Sequence, residues 1–215
     1  MIQRYLVIIG DVVDSRSIED RGGFQVRLRK ALDGRNAEQP ADTLASPYTL
    51  TLGDEFQVVR MRAAGTFLDL IRLAEAVRPT LLRSALGIGD IVTAINPAQA
   101  IGMDGSAFHI ARAGIDLLRD DRSYCRVDGP STLPDALINH GLALAFSRLE
   151  TLRGNRLPLV AGLLAGHSVA AIADQLGKTQ QTLYKTIQSA ELKDVAGFLL
   201  AVERMLDQSL ETTMS

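Results

Sequence analysis

A short apolar run near the beginning of the chain constrains the fold more than any other feature. Residues 5–9 read YLVII, with Arg4 before them and Gly10 after them. A run of this length without polar alternation predicts a strand buried on both faces, in the middle of a sheet. Asp11 comes next but one, so a carboxylate follows the predicted central strand almost directly.

The rest of the first half alternates between helical and extended patterns. Gly53, Asp54 and Glu55 separate two short extended runs, which predicts a β-hairpin with acidic residues at its turn. The order strand, helix, strand, strand, helix, strand is typical of the split βαβ or ferredoxin-like fold. That fold is an α+β arrangement, an antiparallel sheet with helices on one side. The later predicted strands are residues 48–52, 56–60, 82–88 and 91–95, and the predicted helices are residues 24–32 and 65–77.

This strand order brings two aspartates together. The first and third strands are neighbours in such a sheet, so Asp11 would meet Asp54 at its edge. Two carboxylates together with substrate phosphates suit a hard divalent cation such as Mg²⁺. Asp14 and Glu55 are second-line ligand candidates. The simpler interpretation stays open, in which Asp11 caps the next segment and Asp54 only turns the hairpin.

The composition excludes several classes of protein. The net charge is −2 and aromatic residues make up 5% of the chain, with no Trp. These values argue against nucleic-acid binding by phosphate neutralisation alone and against a base-stacking platform. Cys125 is the only cysteine, which rules out an intrachain disulfide and a cysteine-based zinc site. No signal-peptide pattern or membrane span is visible, so we expect a cytoplasmic protein.

The second half of the chain predicts a change of architecture. A helical pattern at 107–120 and an extended run at 123–127 are followed by Asp-Gly-Pro-Ser at 128–131. We place a domain boundary there, between a first domain of residues 1–130 and a helical domain of residues 131–215. Within the second domain, helices are predicted at 137–152 and 157–165.

Residues 168–190 carry the pattern of a helix-turn-helix. Ala173 is small where the two helices would cross, Gly177 would enter the turn with a positive φ, and Leu183 would bury the second helix. The region resembles the helix-turn-helix of sigma-factor region 4. The predicted recognition helix would present to double-stranded DNA the side chains of Thr179, Gln180, Gln181, Tyr184, Lys185 and Gln188.

The charge of the tail favours the alternative that this unit is only a packing module. From residue 153 to the end, six Lys and Arg residues stand against six Asp and Glu residues. A DNA-binding module usually has a basic surface, so we expect modest affinity or a need for dimerisation.

Four segments occur in the order of the class III nucleotidyl cyclase motifs: IIGDVVDSR, TLGDEFQVV, LRSALGIGDIV and GSAFHIARAGIDLL. The segment GDEF also resembles the GGDEF diguanylate cyclases, which share the palm-like core. The whole pattern, with DVVDSR, GDEFQ and an AFH-x-AR segment before a helical tail, resembles the SatD family of bacterial proteins. That resemblance covers nearly the full chain.

The resemblance to the cyclases implies roles for individual residues. Asp11 and Asp54 match the two metal aspartates, which implies Mg²⁺ or Mn²⁺ as cofactor. Arg112 matches the catalytic arginine that stabilises charge on the phosphates during transfer. The chain departs from the motif at Phe108, which stands where the cyclases have a ribose-orienting asparagine. The resemblance also implies a homodimer, since these enzymes complete their sites across two subunits.

Three further residues are candidate contacts to a nucleotide of the ATP or GTP class. Glu55 adjoins Asp54, Arg16 follows the first strand, and His109 lies one residue after Phe108. The simpler interpretations also stay open, namely a surface arginine for Arg16 and a hydrogen-bonded helix side chain for His109.

Two functions therefore remain. The first is a regulator whose cyclase-like domain binds a nucleotide with a divalent metal and whose helix-turn-helix binds DNA. The second is an active nucleotidyl cyclase or nucleotidyltransferase, with the helical tail serving assembly. The missing asparagine favours the first, and the neutral tail favours the second.

Overall fold

The structure is a computed structural model that describes residues 3–51, 53–121, 123–150 and 156–211. These residues form a mixed α+β fold with one five-stranded sheet and eight α-helices. The strand order is β2-β3-β1-β4-β5, so the predicted central position of the first strand is confirmed. The strands are β1 (Tyr5–Val12), β2 (Leu44–Leu50), β3 (Glu55–Arg60), β4 (Leu82–Gly89) and β5 (Cys125–Asp128).

The helices follow the predicted order. The last two residues of the predicted helix 137–152, Thr151 and Leu152, lie outside the described residues. The helices are α1 (Arg21–Ala37), α2 (Thr66–Val77), α3 (Ser106–Asp120), α4 (Asp135–Glu150), α5 (Arg156–Leu164), α6 (Val169–Leu176), α7 (Gln180–Ser189) and α8 (Leu192–Glu211).

Both faces of β1 are buried, but by different partners. Leu6 and Ile8 belong to the large core that α1, α2 and the C-terminal helices complete. Val7 and Ile9 belong to a smaller core beneath α3. The sheet therefore carries helices on both faces, whereas the sequence pattern predicted them on one side only.

Glycine in β4 lets α3 approach the sheet closely. A Cβ placed on Gly87 would lie 2.3 Å from the carbonyl oxygen of Ala107 and 2.6 Å from the amide nitrogen of Ala111. A larger residue would push α3 away from the strand, because backbone atoms cannot yield as a flexible side chain can. This glycine marks close packing of helix on sheet rather than an interruption of the strand.

The prediction of a strand at residues 91–95 was wrong. These residues form an irregular segment that runs back towards α3, in which the Val92 amide donates to the Asp104 carbonyl at 2.9 Å. The physical reason is that β4 has no free edge. It pairs antiparallel with β1 on one side and parallel with β5 on the other, so no hydrogen-bonding edge is left for a returning strand.

The last helix of the chain caps an element in the first half. Glu203 of α8 accepts hydrogen bonds from the amides of Gly65 (3.1 Å) and Phe67 (2.8 Å), at the N-terminus of α2. Asp207 accepts another from the amide of Ala63. Glu203 is only 5% exposed, and burial raises the pKa of its carboxyl group. A carboxylate from a distant helix thus satisfies amides that α2 itself cannot satisfy.

We predict that Glu203→Ala destabilises the fold by about 2 kcal/mol, because two backbone amides lose their acceptor. Chemical denaturation followed by circular dichroism measures the change. The exposed neighbour Arg204 is the matched control, and Arg204→Ala should change the free energy of unfolding by no more than about 0.5 kcal/mol. Equal stability of the two variants would contradict the capping role.

Candidate functional site

An open cleft of about 610 Å³ lies at the end of β1. We call it the Asp11 cleft. Two of the predicted site residues, Asp11 and Asp54, line it together, and the predicted phosphate contact Arg16 lines it as well. The full lining is Asp11, Val12, Asp14, Ser15, Arg16, Ser17, Asp54, Arg83 and Arg119.

The sheet register explains the position of Asp11. On one side Asp11 is paired with Glu55 of β3, and on the other side with Arg83 of β4. Residues paired across strands point to the same face of a sheet, so these three side chains form a charged row. The row lies on the face that α3 covers, beyond the apolar pairs of Val7 and Ile9.

Two arginines hold the Asp11 carboxylate. Arg83 donates from Nε to Oδ1 at 2.9 Å, and Arg119 donates from Nη2 to Oδ2 at 2.8 Å. Asp11 is 5% exposed, so these guanidinium groups compensate a charge that is removed from water. Both carboxylate oxygens are thus engaged.

Sequence reasoning missed Arg83 and Arg119. Arg83 could have been found, because it falls opposite Asp11 once β1 and β4 are aligned as neighbours. Arg119 lies seven residues after Arg112, which places both on one side of α3, two turns apart. Finding it required knowing that α3 covers this face of the sheet.

Three charged residues of the Asp11 cleft make no side-chain hydrogen bond or ion pair within the described part of the chain. They are Asp14, Arg16 and Asp54. Asp14 has φ 51°, an uncommon conformation for a residue other than glycine, and leads into a short 3₁₀ turn, Ser15–Ser17, that carries Arg16. The cleft thus combines paired charges at its base with unpaired charges at its rim.

Glu55 and Arg112 occupy a different cleft. Arg112 donates to both oxygens of Glu55, at 2.5 and 2.7 Å, and Glu55 is 6% exposed. Burial would raise the pKa of Glu55, but the hydrogen bonds and the charge of Arg112 outweigh it and lower that pKa. This second opening, of about 490 Å³, has Phe108 and His109 in its lining.

His109 bonds to its own helix entrance. Its Nε2 lies 2.7 Å from Oδ1 of Asp104, and both side chains are exposed. The structure therefore places Glu55, His109 and Arg112 together, and separates them from Asp54 and Arg16, which line the Asp11 cleft.

The donor groups fit a divalent metal only in part. Among the described residues, no cluster of three or more His, Cys, Asp or Glu side chains is arranged to hold a metal ion. Asp11 and Asp54 line one cleft, and two carboxylates are the usual protein share for Mg²⁺ when substrate phosphates and water supply the rest. Asp11 is paired with two arginines, so Asp54 is the carboxylate of this pair that has no ion pair among the described residues.

The helices α6 and α7 are joined by residues 177–179. Ser168 and Thr179 cap the two helices with their side chains, and Gly177 has φ 60° at the end of α6. Leu183 of α7 is buried. The side chains predicted to face DNA are exposed: Thr179, Gln180, Gln181, Tyr184, Lys185 and Gln188.

The chain matches a known protein family over more than half of its length. The SatD family matches residues 5–143, which include all five strands and both clefts. The chain belongs to the SatD family. None of the curated proteins matches the chain.

One similar solved structure is that of a bacterial light-regulated adenylyl cyclase. It is 13% identical, and the match covers 59% of this chain and 43% of that chain, with a TM-score of 0.33. A likeness this weak supports no conclusion about activity. Within the described residues, no helix is long and apolar enough to cross a membrane.

We predict that Arg112→Ala reduces stability more at pH 7 than at pH 3. The pKa of Glu55 is lowered in the folded chain, so its ion pair stabilises the fold above the ordinary carboxyl pKa. That stabilisation is lost as the pH falls through the lowered value. Urea denaturation at both pH values measures the difference, about 1 kcal/mol at pH 7 for a partly exposed pair. An effect of equal size at both pH values would contradict this role.

Proposed function

We propose that this SatD family protein is a regulator that binds a purine nucleotide in the Asp11 cleft together with a divalent metal. The observation that carries the proposal is the convergence of three arginines and three aspartates in that cleft: Arg16, Arg83, Arg119, Asp11, Asp14 and Asp54. A balanced set of this kind suits a metal-bound polyphosphate, which presents anionic oxygens to the arginines and a cation to the carboxylates.

The individual roles follow from the contacts. Arg16, at the rim and without a partner among the described residues, would bind phosphate oxygens. Asp54 and Asp11 would hold the metal, which when bound neutralises part of the phosphate charge. Arg119 donates to Asp11 and would turn from that carboxylate towards the phosphates.

Binding has more support than turnover. The arginine expected to stabilise a transition state, Arg112, is engaged with Glu55 in the other cleft. Phe108 supplies no polar group for a ribose. An active nucleotidyl cyclase or nucleotidyltransferase is the alternative, and analysis of products distinguishes the two. The strand order β2-β3-β1-β4 supports a ferredoxin-like core of the palm type in either case.

The regulatory half of the proposal assigns DNA binding to α7. Its support is an exposed polar surface on a helix that Thr179 caps at its N-terminus and that Leu183 and Ile187 anchor in the core. The two functional units would be residues 1–130 and 131–215. Because the tail is neutral, a homodimer binding two half-sites is part of the proposal.

We predict that ATP or GTP with Mg²⁺ binds the wild-type protein and that Arg16→Ala weakens binding about tenfold, the loss of one charge-assisted contact. Isothermal titration calorimetry measures both affinities. EDTA or Asp54→Asn should remove the dependence on Mg²⁺. Mass spectrometry of the same mixtures should find the nucleotide unchanged.

The control for this experiment is Arg62→Ala. Arg62 is exposed and pairs with Asp42, far from the lining of the Asp11 cleft, so its loss should leave nucleotide affinity unchanged. Equal affinity of Arg16→Ala and wild type would remove the phosphate role of this cleft. A cyclic or linear product that disappears in Asp54→Asn would establish the enzymatic alternative.

We predict that Gln181→Ala/Tyr184→Ala weakens binding to double-stranded DNA by at least tenfold, since truncating base-reading side chains costs about 1–3 kcal/mol each. The DNA is selected with the wild-type protein from a random 30-bp library, and fluorescence anisotropy gives the affinities. Both residues are exposed, so the variant should unfold at the same temperature as wild type. Unchanged affinity would contradict recognition by α7.

A further inference from the structure

The helix α1 carries an excess of basic residues, whereas the tail has equal numbers of basic and acidic residues. α1 contains five basic residues and one acidic residue, Asp33, in a chain with a net charge of −2. No other helix has such an excess. The charge is therefore concentrated on one element rather than spread over the surface.

Four of these basic side chains are exposed and unpaired. Arg21, Arg27, Arg29 and Lys30 form no ion pair within the part of the chain that the structure describes, and Arg27 also lies over the ring of Phe24. The fifth basic residue, Arg35, is buried and paired with Glu38 and Asp69. Arg21, Arg29 and Lys30 thus have no ion-pair partner among the described residues, and Arg27 contacts only the ring of Phe24.

A groove runs between α1 and α2 beside these residues. It has a volume of about 350 Å³, and Arg27 and Lys30 of α1 and Arg72 of α2 line it. Ala31, Gly34 and the paired Arg35 of α1 and Ala76 of α2 complete its lining. No carboxylate lines the groove, although Glu38 contacts Arg72 at its margin, at 3.1 Å.

We propose that the basic surface of this groove, defined by Arg27, Lys30 and Arg72, binds the phosphate backbone of double-stranded DNA. The inference rests on the DNA-binding part of the proposed function for the choice of ligand. Arg27 and Lys30 lie one turn apart on the same side of α1, and Arg72 of α2 lines the same groove. Cations from both helices can therefore contact one stretch of the phosphate backbone of a duplex.

The basic surface also supplies the positive charge for DNA binding that the neutral tail lacks. α7 offers amide and hydroxyl groups that can read bases, but six acidic residues cancel the six basic residues of the tail. Phosphate contacts set most of the affinity for DNA and base contacts set its specificity. Division of the two tasks between α1 and α7 explains a neutral helix-turn-helix in a DNA-binding chain.

The test is the salt dependence of DNA binding by Arg27→Gln/Lys30→Gln. Affinity for the selected 30-bp duplex is measured by fluorescence anisotropy from 50 to 300 mM KCl. The slope of log affinity against log salt should fall in magnitude by about 2, at about 0.9 for each lost phosphate contact. Affinity at 0.1 M salt should fall about tenfold for selected and for unrelated duplexes alike.

The matched control is Arg62→Gln/Arg204→Gln, which removes the same charge from two other exposed sites. An equal change of slope in the control would mean that the effect comes from the net charge of the protein alone, and would overturn the proposal. An unchanged slope in Arg27→Gln/Lys30→Gln would also overturn it, and would leave recognition by α7 intact if Gln181→Ala/Tyr184→Ala still weakens binding. Loss of slope without any effect of the α7 variant would support the basic surface and remove the role of α7.

Discussion

The pairing of β1 on both of its edges determines the position of the site. Because β3 and β4 both run antiparallel to β1, the register of each ladder is fixed by the buried residues on its two faces. A shift of one residue would exchange the buried and exposed sets of the strand. The same register that buries Val7 and Ile9 under α3 places Asp11 between Glu55 and Arg83 near the end of the central strand. The charged row is thus a consequence of how the apolar core is aligned.

Arginines of α3 compensate the buried negative charges of that row. Asp11 and Glu55 are nearly buried carboxylates, and each is bound by an arginine from α3, Arg119 and Arg112 respectively. These pairs tie the third helix to the sheet by charge, in addition to the small apolar core beneath it. In the proposed function, a phosphate group that competes for Arg119 would weaken one of the two ties and would thereby link binding at the Asp11 cleft to the packing of α3.

Much of this arrangement is readable from the sequence, and the exceptions have physical causes. The apolar run of β1 and the hairpin before β3 are local patterns, which is why the meeting of Asp11 and Asp54 in one cleft could be predicted. The position of α3 over the second face depends on Gly87 and Ala111, whose small size has meaning only after the two elements are packed. The strand expected at residues 91–95 is absent because β5, which begins 30 residues after Ile95, occupies that edge of β4.

Buried polar groups were the least predictable part. Arg60 is fully buried and donates to Asp69 at 2.8 Å and to the Tyr48 hydroxyl at 3.0 Å. Nothing in the pattern of β3 distinguishes this arginine from one at an exposed strand end. Its side-chain acceptors come from β2 and α2, and the carbonyls of Arg62 and Ala64 accept as well, so only the assembled structure reveals that the charge is satisfied.

The cap that α8 places on α2 has a consequence for the order in which the chain can fold. Glu203 lies 138 residues after Gly65 and 136 after Phe67, and α8 also closes the large core over Leu6 and Ile8. While the chain is being synthesised, the first half emerges with an uncapped α2 and an uncovered apolar face. Only β2 and β3 pair as a local hairpin, whereas β1 pairs with strands far along the chain, and the large core closes only when α8 packs against it.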